Sequence, residues 1–419
     1  MMKHLEGKKL LLLGGSSTMI DIVKLAQSFG CIVYVTDFYD SQKSPAKLVA
    51  DCSADISVAD YKAIVTYIKE NEIDGVMTGY TDSYLEHYIS ICEMAGLPYY
   101  GSRKAFGIAT DKMLFKKACR EAGVKTIPGT NAYKFETVLE FASSNGFPLM
   151  LKPTDNSGSR GVIKCENANE LRKCFDYAMS FSASKNVIVE KYMDCESIGI
   201  VYQFDGKEPI LAAICDREIY SSREDGSAII SGLRYPSKYL DRYIKEADAS
   251  MKKMLKDNMF FGGMVSPMAF VDSDGFYMCE MCYRPSGGHH FVLINDQNSV
   301  NGLALLIEFA LTGRNESYQS NKETPYFKDC CGMTNIIGTP NKTIAHISGI
   351  EDIRKIEGVI DIYQSLRQGQ KIGKDGTTAQ RLLSVWLKAN SWEQYNKLIN
   401  IIKTTLVVQD EYGQSLIVK

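Results

Sequence analysis

The residues best placed to do chemistry begin at Lys152, which closes an apolar run over residues 147–151 and leads into Ser157, Gly158, Ser159, Arg160 and Gly161. Apolar sequence resumes at Val162 and Ile163. Two strands joined by such a loop form a hairpin whose backbone N–H groups can converge on one anion. Glycine lets the backbone approach that anion closely. Lys152 and Arg160 add positive charge beside it, so the fitting guest is a polyphosphate. The loop is not a Walker loop, because no Gly-Lys-Ser/Thr follows and no helix starts there. An ordinary Gly/Ser hairpin has the same composition, so the loop alone does not decide the matter.

Other polar residues carry weaker signals. Lys112 follows Asp111 in the first turn of a helix capped by Thr110, where the helix dipole disfavours a cation; alone it reads as a solvated lysine. Glu190 and Glu196 flank a connector between two strands and read singly as solvent-facing carboxylates. Over residues 276–284, period-two alternation puts Glu280, Cys282 and Arg284 on one face of a strand. A carboxylate and an arginine so close are costly in a core unless something polar fills the space beside them. Cys279 and Cys282 form a C-x-x-C, but no second pair supplies zinc spacing.

Positioning these residues requires alternating elements. Residues 9–13 read as a buried strand closed by Gly14, Gly15, Ser16 and Ser17, then a helix over 19–29 and a second strand ending at Asp37. A helix over 61–71, a strand over 75–78 and a helix over 83–95 continue the pattern, which implies a parallel sheet with helices on both faces. The Gly14 loop lacks two glycines of the dinucleotide fingerprint, so a nicotinamide site is not expected, although a small substrate could sit at these strand ends. Further helices are expected over 170–182, 240–256 and 302–311, a hairpin around residues 272–275, and a polar linker over 314–326. Helices near 352–355 and 392–403 with short strands complete an α+β tail.

A chain of 419 residues has room for two to four domains. With 45% hydrophobic and 23% charged residues and a net charge of −2, it is ordinary for a globular protein and gives no reason to expect nucleic acid or a membrane as partner. The 12 cysteines are scattered through apolar segments, which suits a reduced, cytoplasmic compartment.

Taken in order, these motifs resemble the ATP-grasp superfamily, which includes biotin carboxylase, the large subunit of carbamoyl-phosphate synthetase and purine-biosynthesis ligases. The motifs are Asp111-Lys112, Lys152-Pro153, the lid Ser157 to Gly161, Glu190-Lys191-Tyr192-Met193 with Glu196, and Glu280-Met281-Cys282-Tyr283-Arg284. The resemblance implies an α/β (α+β) ATP-grasp fold. A parallel-sheet domain would span residues 1–109, and the ATP-grasp domain 110–314 (lid subdomain about 124–190, second half about 191–314). A small C-terminal α+β domain would span 327–419.

It implies ATP and Mg²⁺ as cofactors and small-molecule carboxylate and amine substrates, joined through an acyl phosphate, and it is compatible with a homodimer. Lys112 and Lys152 would hold phosphates under the lid. Backbone at Lys191 and Tyr192 would read adenine beside Glu190, Glu196 would accept from the ribose, Glu280 would hold Mg²⁺, and Arg284 would stabilise the acyl phosphate. Two metal positions depart from the pattern, with Met268 for a Glu or Gln and Cys282 for an Asn. Hence the alternative of an ATP-binding sensor or scaffold with a degraded metal site; a dehydrogenase ranks third. Tyr80, Thr81, Asp82, Arg217, the segment from Arg234 to Ser237 and the segment from Ser286 to His290 are expected to border the acceptor pocket. Arg217 and Arg234 are the candidates to grip a carboxylate.

Overall fold

A computed structural model describes residues 2–155, 161–220 and 229–418. The first four strands are β1 (Lys9–Leu13), β2 (Ile32–Thr36), β3 (Cys52–Ala54) and β4 (Gly75–Thr78), parallel in the order β3-β2-β1-β4. Their near-continuous apolar composition fits burial on both faces. The helix Gly302–Thr312, buried along almost its whole length, packs against β4 so closely that a Cβ at Gly75 would lie 2.1 Å from the Ala310 carbonyl oxygen.

A second sheet contains β5 (Gly129–Ala132), β6 (Leu149–Pro153), β7 (Ile163–Cys165) and β8 (Val187–Lys191), antiparallel in the order β5-β8-β6-β7. The expected hairpin is β6–β7, with Leu151 opposite Ile163. Of the loop between them, residues 156–160 lie outside the described residues, so Ser157, Gly158, Ser159 and Arg160 are not placed. Gly161 is placed, with φ +76°.

The largest sheet is built from β9 (Glu196–Asp205), β10 (Glu208–Tyr220), β11 (Ile229–Tyr235), β12 (Met264–Asp272), β13 (Gly275–Cys282), β14 (Cys330–Ile337), β16 (Val359–Gln364) and β17 (Arg381–Ala389). Its order is β13-β12-β9-β10-β11-β14-β17-β16, with all pairs antiparallel. A separate pair joins β15 (His346–Ser348) to β18 (Val407–Gln409). The C-terminal strands thus continue the sheet that holds β12 and β13, through the β11–β14 pairing.

Three local readings change. Thr110 ends the helix Arg103–Thr110, and Asp111 caps the next helix, Lys112–Glu121, accepting from Met113 N at 2.7 Å and Leu114 N at 3.0 Å. Residues 240–256 are not one regular helix, because a π-turn over Ile244–Asp248 interrupts them. The segment over 314–326 is no loose linker: Ser317 N and Oγ donate to buried Glu308, and Tyr318 and Gln203 donate to Glu323.

Candidate active site

Antiparallel pairing of β6 with β8 sets Met150 opposite Glu190, two residues before Lys152, which pairs with Ile188. Glu190 is no solvent-facing carboxylate: it is the last buried residue of β8, with its side chain 1% exposed. Lys152 Nζ meets one of its oxygens and Lys116 Nζ the other. Lys116 is completely buried and also donates to the Ile127 carbonyl at 3.0 Å. Gly129, opposite Glu190 on β5, makes room for the cluster, since a Cβ there would meet Glu190 Cγ at 2.8 Å and Lys116 Nζ at 3.3 Å. Burial opposes ionisation of Glu190, yet the Lys152 and Lys116 ammonium groups outweigh it and hold its carboxyl down at about 2. Burial lowers the Lys116 pKa, whereas at Lys152 the pull of Glu190 prevails over burial and raises it. Lys112 is half-buried at the start of the same helix as Lys116 and makes no hydrogen bond or ion pair among the described residues.

The β12–β13 hairpin sets Met268 opposite Glu280. The register comes about differently from a simple three-residue loop: Asp272 pairs directly with Gly275, and a bulge leaves Cys279 unmatched, which restores the Met268–Glu280 pairing. That bulge also breaks the strict alternation expected along this strand. Glu280 is exposed and has no hydrogen bond or ion pair among the described residues. Arg217, reaching across from β10, puts Nη1 against Met268 Sδ. The two C-x-x-C thiols face different groups, Cys279 donating to Met268 O at 3.4 Å and Cys282 to Arg284 O at 3.8 Å. Burial pushes the Cys279 thiol up to about 12.

At the far end of β8, Lys191 N donates to Pro128 O at 3.0 Å and Tyr192 N to Pro148 O at 3.1 Å. Those two N–H groups are therefore engaged within the protein. Met193 N, the next donor, bonds to no protein group among the described residues. Glu196 is already engaged by Lys238 Nζ at 2.7 Å and Tyr239 Oη at 2.6 Å. Arg284 lies just past β13 and is held by Asp82, its Nε 2.7 Å from Oδ1, with Nη1 donating to Pro285 O at 2.9 Å.

Among the expected pocket residues, Arg234 is not free for a substrate carboxylate. It pairs with Glu218, donates to Asn396 at 3.0 Å, and lies over the Trp392 ring at 5.0 Å. Tyr80 stacks on His289 at 4.9 Å, and Trp386 stacks on the same imidazole at 5.3 Å. Burial, helped by the Arg381 charge, pushes His289 down to about 3, so the ring is neutral near pH 7. At the carboxyl ends of β1, β2 and β4 lies a cavity of about 50 Å³ bordered by Gly14, Gly15, Asp37 and Thr78. Thr78 Oγ1 is buried there without a hydrogen-bond partner among the described residues.

Sequence reading missed Lys116 and Arg381. Lys116 carries a detectable signal, because Phe115, Ala118 and Cys119 flank it on the apolar face of its helix. Arg381 carries none: it bonds Ser365 Oγ at 3.0 Å and has no carboxylate partner among the described residues, which only its place beside His289 makes notable.

Residues 111–289 match the family described as carbamoyl-phosphate synthase L chain, ATP binding domain. Formate-dependent phosphoribosylglycinamide formyltransferase of Bacillus velezensis is 27% identical over 286 residues, 67% of this chain and 71% of that protein. The L-amino acid ligase of Bacillus licheniformis superposes with a TM-score of 0.80 at 15% identity, covering 97% of this chain and 99% of that one. The biotin carboxylase domain dimer of Hydrogenobacter thermophilus 2-oxoglutarate carboxylase, solved with MgADP and bicarbonate, gives 0.78 at 18% identity, covering 96% and 91%. An ATP-binding domain family is thus matched over the residues that carry the lysine–glutamate cluster, and along almost its whole length the chain has the fold of the ATP-grasp ligases it superposes on.

Proposed function

We propose that the protein activates a small carboxylate with ATP and passes the acyl group to an amine. A carboxylate oxygen attacks the γ-phosphorus, the bond to the ADP oxygen breaks, and an acyl phosphate forms. The amine then adds to the acyl carbon, loses a proton and expels phosphate. Such transfer depends on positioning and charge neutralisation more than on covalent help from the protein. The observation that carries the reading is the buried Lys116–Glu190–Lys152 cluster at the mouth of the β6–β7 loop.

Lys152 and Lys112 hold the phosphates, and Ser157, Gly158, Ser159, Arg160 and Gly161 are the proposed lid. The Lys191–Tyr192 carbonyls and Met193 N border the adenine, and Glu190 acts beneath them through the two lysines that hold its oxygens. Glu196 accepts from the ribose on exchange with Lys238. Arg284, oriented by Asp82, faces the acyl phosphate, and Arg217 is the remaining arginine for the carboxylate. The unpaired Glu280 suits Mg²⁺, which accepts one or two carboxylates and completes its shell with water and phosphate oxygens. Met268 and Cys282 are poor ligands for it. The same reading divides the chain into residues 1–109, 110–314 and 327–419, and places it in the cytoplasm, consistent with no helix of the described residues being long and apolar enough to cross a membrane. It allows a homodimer.

The second reading, a nucleotide-binding sensor or scaffold, is favoured by the sulfur atoms at positions 268 and 282. ADP release in the presence of Mg²⁺ and a panel of carboxylate–amine pairs separates the two. Turnover with one pair is expected; tight ATP binding with no ADP release from any pair would establish the sensor instead.

A further inference from the structure

The charge cluster beneath Lys152 is unbalanced, with one carboxylate between two ammonium groups. Lys116 and Glu190 are 0% and 1% exposed, while Lys152 is 21% exposed and lies where the chain runs out toward residues 156–160. On β13, Cys279 is a protonated thiol near pH 7 and contributes no charge, while the exposed Glu280 carboxylate acts on Lys152 from a distance without pairing with it. Lys116 is held from inside by Ile127 O and Glu190, so of the two lysines only Lys152 borders the open side.

If Glu190 had a single lysine partner, turning Lys152 toward a phosphate would strand a buried carboxylate. Removing one partner of a buried pair leaves the other charge uncompensated, which cancels much of what a charged phosphate contact contributes. With Lys116 in place, Glu190 stays paired whichever way Lys152 points. We propose that Lys116 is a positioning residue for ATP binding: it retains Glu190 and so frees Lys152 to leave that carboxylate for a phosphate. The inference rests on the ATP-site reading above. A lysine that merely packed β8 against its helix would give the same static picture, so the test must read charge rather than packing.

The test is calorimetric titration of the full-length protein with MgATP, comparing wild type, Lys116→Met, Lys152→Ala and the double variant Lys116→Met/Glu190→Gln, with folding checked by circular dichroism. Lys116→Met leaves a neutral Lys152–Glu190 pair and should weaken ATP about tenfold or more, because Lys152 is then trapped. The double variant removes the trap and should return to within about threefold of wild type. A packing role predicts that the second substitution adds damage instead of rescuing. Wild-type affinity in Lys116→Met, or a double variant as weak as the single one, overturns the inference while the loss in Lys152→Ala keeps the ATP site standing. Wild type that binds no ATP overturns both. If Lys116→Met fails to fold, the double variant is read alone, and affinity more than about tenfold below wild type refutes the proposal.

Discussion

Replacing Glu323 by glutamine should remove a pH dependence of stability built into the segment between the helix Gly302–Thr312 and β14. Glu323 accepts from Gln203, a buried residue of β9, and from Tyr318. Burial raises its carboxyl from 4.5 to about 7, against the pull of those two hydrogen bonds. The folded protein therefore binds this proton more tightly than the unfolded chain does. The resulting stability is complete below about pH 4.5 and is lost as pH rises to about 7. At about 1.36 kcal/mol per unit the full effect is about 3 kcal/mol, and partial solvent access reduces it to about 1–3 kcal/mol. Glutamine keeps an oxygen for Gln203, offers an N–H to Tyr318 Oη, and cannot titrate. Urea unfolding of wild type and Glu323→Gln at pH 5, 6, 7 and 8 measures the difference directly. Wild type should lose about 1–3 kcal/mol relative to the variant between the lowest and highest pH, and contributions common to both proteins cancel in the comparison. Two stability profiles that run parallel across this range would show that Glu323 is not perturbed, and the account of a buried anchor would fall.

Lys152→Ala should weaken ATP far more than Lys117→Ala, because Lys117 is 67% exposed and among the described residues pairs only with Glu121, at 3.9 Å; equal affinities by titration would remove Lys152 from the site. Met268→Glu, opposite Glu280, should lower the Mg²⁺ midpoint for ADP release, although Arg217 will compete for the new carboxylate; an unmoved or raised midpoint would mean that position 268 does not face the ion. Gly75→Ala should cost about 1–3 kcal/mol in urea unfolding, since its Cβ would lie 2.1 Å from the Ala310 carbonyl oxygen and backbone must shift; an unchanged midpoint would contradict the packing of that helix on β4.

Much of the architecture was legible in local order. Apolar runs at β1, β2 and β4, separated by helical periodicity, were enough to infer a parallel sheet, because burial on both faces leaves no polar alternation to hide the strands. The Lys152 loop and the Glu280 hairpin stood out for a similar reason: their turn residues punctuate apolar, strand-like runs of sequence. The continuation of one sheet from β11 into β14 was not legible, since such pairing depends on residues about a hundred positions apart and leaves no short-range trace.

The site divides along the same line. Sequence by itself determined which residue types are available: a lysine leaving a strand, a glutamate at the end of another, and a hairpin carrying a carboxylate and a methionine. Which of them meet was decided only by tertiary structure. The strand register carries Glu190 to Lys152, and Lys116 arrives from a helix whose apolar face buries it. The same packing spends Arg234 on Glu218 and ties Arg284 to Asp82. An ionisable side chain reads alike in sequence whether solvated or buried. Its charge state, partners and readiness to meet a ligand follow from the dielectric and the neighbours that folding brings to it.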